Sequence, residues 1–88
     1  MYTLYFTNDA KKDYRTISKS AYQIKIQGLL EILKSNPFQN PPPYKRLIGE
    51  YSGAYSRRIN LQHRLFYQID EKNKRIKILR MWSHYGEN

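Results

Sequence analysis

Apolar residues follow two periods along this chain, helical in the first half and alternating in the second. Residues 2–7 are β-rich and predict a first strand. Thr7 and Asn8 suit the cap of a helix, and Asp9 suits its first turn. Ala10, Tyr14 and Ile17 recur at i, i+4 and i+7, one apolar stripe of a short helix. Ser18-Lys19-Ser20 interrupts it. Ser20 and Gln23 have the spacing of a capping box for a second helix. Its apolar face is Tyr22, Ile26, Leu29, Leu30 and Leu33, and Asn36-Pro37 stops it. The two segments predict a helical hairpin laid on a sheet.

Residues 37–47 read as a loop. Pro41, Pro42 and Pro43 make a stiff, extended run that carries Lys45 and Arg46 to a defined place. Beyond it β signals dominate, with strands predicted over 55–60, 64–70 and 75–83. Residues 60–63 form a tight connection, so the first two strands make a hairpin. Glu71-Lys72-Asn73-Lys74 forms the next turn. Leu65, Tyr67 and Ile69 alternate onto one face, with Arg64, Phe66 and Gln68 on the other. The order β-α-α-β-β-β predicts a single α+β domain over 1–88: two N-terminal helices packed on one antiparallel sheet.

Composition narrows the function. Eighty-eight residues allow one core. With no cysteine there is no disulfide framework and no thiolate metal site. Two histidines do not make a metal cluster, and no cofactor is expected. No apolar run is long enough to cross a membrane, and the N-terminus lacks a signal-peptide pattern, so a soluble, cytoplasmic protein is expected. Sixteen Lys+Arg against 7 Asp+Glu give a net charge of +9. Such a surface attracts a polyanion: nucleic acid, an acidic protein or an anionic membrane. Nine tyrosines suit either a small core or a face on which bases stack.

The basic excess lies on the sheet half. Lys45, Arg46, Arg57, Arg58 and Arg64 fall within twenty-odd residues against Glu50 alone. If Ile59 and Leu65 face the core, Arg58 and Arg64 both point to the opposite face, close to the hairpin. Two guanidiniums on one face offer planar forks of donors to a phosphate. The plainer reading is a solvated edge that keeps the protein soluble. Arg57 alternates to the other face, where pairing with a helix carboxylate is expected. His63 reads as a solvent-exposed turn residue and Trp82 as core. Arg46 reads as general attraction to RNA.

Ser56-Arg57-Arg58-Ile59-Asn60, then His63-Arg64-Leu65-Phe66-Tyr67, then Ser83-His84-Tyr85 closely resemble the Txe/YoeB toxins of the RelE superfamily. Pro37-Phe38 and Ser52-Gly53 fit the same layout. The resemblance implies a microbial-RNase-like fold and the toxin of a type II toxin–antitoxin pair. It implies a metal-independent endoribonuclease (mRNA interferase) that enters the ribosomal A site, among 16S and 23S rRNA, and cuts mRNA. Its implied partners are mRNA, the ribosome, a cognate YefM/Axe-like antitoxin, operator DNA through the antitoxin complex only, and a second copy in a homodimer. By the resemblance His84 is the general acid, Arg64 the transition-state arginine, Arg58 a phosphate contact and Tyr85 the substrate-orienting tyrosine; Arg46, beside Lys45, is added as a substrate contact on its charge. RNA cleavage without metal needs groups of this kind. The 2′-hydroxyl attacks the adjacent phosphorus, protons must be taken and given, and cations stabilise the phosphorane. An imidazole titrates in the right range.

Two departures stand out. The family usually has a glutamate, its general base, where this chain has Lys45, so Lys45 is kept as a site residue and the base is left open. Gly86-Glu87-Asn88 also follow the tyrosine, where many relatives stop. The competing functions are a non-catalytic binding toxin like the ParE branch, and a basic RNA-binding module without chemistry.

Overall fold

The computed structural model describes residues 1–83, and of Ser83 its backbone. His84, Tyr85 and the Gly86–Asn88 tail lie outside the described residues. The chain runs β1 (Thr3–Phe6), α1 (Asn8–Ile17), α2 (Gln23–Ser35), β2 (Tyr44–Arg46), β3 (Tyr55–Arg58), β4 (Arg64–Asp70) and β5 (Arg75–Ser83), with a short 3-10 turn at Gly49–Tyr51. The strands form one sheet in the order β1-β5-β4-β3-β2.

The expected α+β layout holds, with two corrections. The sheet is mixed, because β1 runs parallel to β5 while the other neighbours are antiparallel. A parallel neighbour needs a long crossover rather than a hairpin, and the helices and three strands between β1 and β5 supply it. A fifth strand, β2, also lies inside the segment expected to be loop. Three residues are too few to show a period, and only pairing with β3 reveals them. Ahead of β2, the Asn40–Pro41 and Pro41–Pro42 peptide bonds are cis.

Thr7 caps α1 as expected, its hydroxyl accepting from the Ala10 amide at 3.0 Å. The capping box at Ser20 does not form. The Ser20 hydroxyl accepts instead from the Tyr22 amide at 3.1 Å, and α2 begins at Gln23 with no side-chain cap. α2 nevertheless buries the expected Ile26, Leu29, Leu30 and Leu33. With Ala10 and Ile17 they pack on Leu65, Tyr67, Ile76, Ile78 and Met81 of the sheet. Burying each such side chain contributes about 1.5–3 kcal/mol, which holds the helices against one face.

On the opposite face Phe66 is buried with Leu47 and Ala54, and Leu79 packs beside them. That face therefore has a small core of its own. Alternation within β4 hid it, because Phe66 is covered by residues remote in sequence, among them the Tyr51 ring, edge-on at 5.2 Å.

β5 carries two extra residues against β4. Tyr67 pairs with Ile78 but Arg64 pairs with Ser83, the shifts falling on either side of Phe66. Asp13 of α1 holds this irregular stretch. Its carboxylate accepts from Arg80 Nε at 2.9 Å, from Arg80 Nη2 at 3.3 Å and from the Met81 amide at 3.0 Å. The bond to Asp13 holds the Arg80 guanidinium's pKa above its ordinary value.

Candidate phosphate-binding site

The register of three strands assembles the basic face. β2 sets Lys45 beside Ser56 of β3, and β3 sets Ser56 beside Phe66 and Arg58 beside Arg64 of β4. Alternation then puts Lys45, Ser56, Arg58 and Arg64 on the same face, away from the helices. Lys45, Arg58 and Arg64, with Pro43 and Tyr44, line a concavity of about 220 Å³. Lys45 and Arg58 are exposed and Arg64 is half-buried. Neither Lys45 nor Arg58 takes part in an ion pair among the described residues. Ser56 is fully buried and accepts from Arg64 Nη1 at 3.1 Å, which fixes one branch of that guanidinium.

Sequence reasoning passed over Ser56. The signal was its place two residues before Arg58, on the same face of one strand. Arg46 is not brought together with the other cations. It points to the helix face of β2, where its guanidinium lies over the Tyr55 ring at 5.9 Å. Glu50 is exposed on the 3-10 turn and does not line the concavity. No three His, Asp or Glu side chains converge among the described residues. His84 and Tyr85 follow directly on Ser83, the residue that pairs with Arg64.

Behind the site lies Arg57, expected to pair with a helix carboxylate. It is fully buried, and its partners are oxygens of another kind. Nη1 donates to the Pro42 carbonyl at 2.6 Å. Nη2 donates to the carbonyls of Pro37 at 2.8 Å and Gln39 at 2.9 Å. Nε donates to the Tyr67 hydroxyl at 3.0 Å, and the Tyr44 ring lies 4.8 Å away. One guanidinium thus ties the proline loop to the sheet immediately before Pro43, Tyr44 and Lys45. Burial pushes the Tyr67 phenol up to about 12, even though the Arg57 charge and hydrogen bond pull the other way.

His63 is less exposed than expected, while Trp82 packs against the main core as expected. Their rings stack at 3.8 Å with only 6° between planes, and both are half-buried. The tight turn before His63 is closed by Asn60, whose side-chain oxygen accepts from the amides of Gln62 and His63, each at 2.8 Å.

Comparison with known proteins bears on what this face is for. The model of the YoeB-like toxin of bacterial type II toxin–antitoxin systems matches residues 6–85. A YoeB/ParE toxin from Agrobacterium tumefaciens is 27% identical, with a TM-score of 0.85 over 94% of this chain and 99% of that one. The match to a heterotetrameric YoeB–YefM toxin–antitoxin complex from Staphylococcus aureus is 31% identical, with a TM-score of 0.80 over 97% and 99%. A YoeB dimer from the same organism is 31% identical, with a TM-score of 0.81 over 96% and 98%. No curated protein sequence matches the chain. The motifs on β3 and β4, the mixed five-stranded sheet under two helices and the near-complete family match agree, and the chain belongs to the YoeB-like toxin family of bacterial type II toxin–antitoxin systems.

Proposed function

We propose that this toxin is a metal-independent, ribosome-dependent endoribonuclease that cuts mRNA in the A site and so inhibits translation. The observation that carries the reading is the convergence of Lys45, Arg58 and Arg64 on one concavity. They come from three strands, β2, β3 and β4.

In this reading the 2′-oxygen attacks the adjacent phosphorus. The 2′-O–P bond forms and the P–O5′ bond breaks, giving a 2′,3′-cyclic phosphate and a 5′-hydroxyl. A base takes the 2′ proton, and His84 gives a proton to the leaving O5′. Arg64, steadied by Ser56, stabilises the charge that builds on the phosphorane, and Arg58 holds the phosphate. Lys45 adds a third positive charge where the family has a carboxylate. Tyr85 orients the neighbouring base by stacking, and Arg46 contacts RNA away from the chemistry.

The YoeB–YefM complex and YoeB dimer of Staphylococcus aureus support a cognate antitoxin and a homodimer as partners here. An acidic antitoxin segment covering the cations would also block the site, and operator DNA would be reached through that complex. No described helix is long and apolar enough to cross a membrane, and the reading puts the protein in the cytoplasm with the ribosome.

Primer extension on a defined mRNA, with and without ribosomes holding an empty A site, tests the reading. Cuts that need the ribosome and disappear in His84→Ala are expected. A folded, antitoxin-free protein that cuts in neither condition would sink it and favour a binding toxin.

A further inference from the structure

Across the end of the β3–β4 hairpin from the basic concavity, and sharing Arg58 with it, lies a larger groove of about 740 Å³, lined by Tyr22, Lys25, Arg58, Asn60, His63 and Trp82 among others. We infer that this groove is a base subsite: it takes the nucleobase of the RNA nucleotide next to the phosphate held by Arg58 and Arg64. The inference rests on the proposed action on RNA and adds to it a second, separate contact.

Three observations converge. First, Arg58 lines both depressions and joins them across the end of the β3–β4 hairpin, the concavity on the face away from the helices and the groove on the helix side, so a strand held at Arg58 reaches the groove by turning round that end. Second, the wall is aromatic and rigid. Trp82 is stacked face to face with His63 and meets Tyr22 at 5.9 Å with 49° between planes. The His63 ring is oriented in turn by Asn60, whose Oδ1 lies 3.2 Å from its Nδ1. Aromatic walls next to a basic track are how single strands are held without sequence readout, because every base has a π-face. Third, among the described residues the charged groups lining the groove are Lys25 and Arg58, with no carboxylate. Its size falls within the ~300–1,000 Å³ of ordinary ligand sites. Hydrogen-bonding groups of Asn60 and Gln62 at the rim give a base edge something to meet.

Trp82 is the one tryptophan in the sequence, so its fluorescence reads the groove directly. The probes are 2′-O-methyl RNA trinucleotides, which lack the nucleophile and stay intact, and the same trinucleotides with one abasic position. The intact probe is expected to quench Trp82 and to bind roughly 5- to 150-fold more tightly than the abasic one. His63→Ala should remove most of that difference, while His63→Phe, which keeps a ring against Trp82, should restore it. Arg58→Ala should weaken both probes alike. Equal affinities for the two probes, no binding of the intact probe, or an unchanged preference in His63→Ala would overturn the subsite. So would a Trp82 signal that follows protein concentration or added antitoxin but not RNA, because the groove would then belong to a protein partner. Ribosome-dependent cutting by the wild type keeps the two readings apart. Cutting without base preference removes only the subsite, whereas base preference without cutting removes only the nuclease.

Discussion

Replacing Arg57 should cost this protein much of its stability without touching the exposed cations. Four oxygens accept from the Arg57 guanidinium: the carbonyls of Pro37, Gln39 and Pro42, and the Tyr67 hydroxyl. The bonds to Pro37 and Tyr67 are fully buried, while those to Gln39 and Pro42 lie nearer water. In Arg57→Met the stem stays and the donors go. Water can then solvate the outer carbonyls, but two buried groups are left unmet at roughly 1–3 kcal/mol each. The total, about 2–6 kcal/mol, is a large part of the 5–15 kcal/mol typical of a whole domain. At roughly 4–8 °C per kcal/mol for a domain of this size, the melting temperature falls by about 10–40 °C. Arg57→Lys keeps the charge but not the fork, so it should fall between the two. Urea unfolding followed by circular dichroism and by the single Trp82 measures both. If both variants stay within about 0.5 kcal/mol of wild type, the range of an ordinary surface change, the guanidinium is not what holds the proline loop.

The same physics gives other expectations. Tyr67 ionises at about 12 in the fold against about 10 in an unfolded chain. The folded state therefore holds the proton more tightly, and its contribution is intact below pH 10. Roughly 2–3 kcal/mol of it is lost as pH rises towards 12, a component that the unfolding midpoints of Tyr67→Phe should lack; the same slope in both proteins would refute this. Asp13→Ala should destabilise by about 1–3 kcal/mol because the Met81 amide loses its acceptor. Asp13→Asn should cost less, as read by thermal melts. If Lys45 acts through its charge, Lys45→Ala should lower ribosome-dependent cutting by about 10²–10³-fold and Lys45→Arg should recover most of it; an arginine variant as inactive as the alanine one would assign Lys45 to proton transfer. Arg46→Ala, on the other face, should change cutting far less than Arg58→Ala when both are compared by primer extension.

Periodicity revealed most of this architecture, and it failed where the decisive contact was remote. β4 and β5 run over 64–70 and 75–83 as the alternation predicts, and both helices bury most of the faces their spacing predicts, Tyr22 lying exposed just ahead of α2. The edge strand Tyr44–Arg46 exists only because β3 pairs with it. Alternation also put Arg57 on the apolar face, but no local rule says that a guanidinium will end among loop carbonyls 15 to 20 residues away. At the candidate site, the shared face of Arg58 and Arg64 follows from the hairpin, and Lys45 was chosen from the resemblance. Sequence could not show that Arg46 turns to the other face, because that depends on β2 being a strand. Nor could it show the His63–Trp82 stack, since the two extra residues in β5 set where Trp82 falls.

The position of β5 has a consequence for the newly made chain. β5 is the last strand in sequence but the second in the sheet, between β1 and β4. It supplies Ile76, Ile78 and Met81 to the core, and the Thr7 hydroxyl reaches 72 residues along the chain to the Leu79 carbonyl. Until residues 75–83 are free to pair, β1 has no neighbour, α1 has no floor, and Arg64 has a strand on its β3 side alone. Such long-range closure is slow and comes late. A chain halted before residue 75 thus has neither a finished sheet nor a finished candidate site.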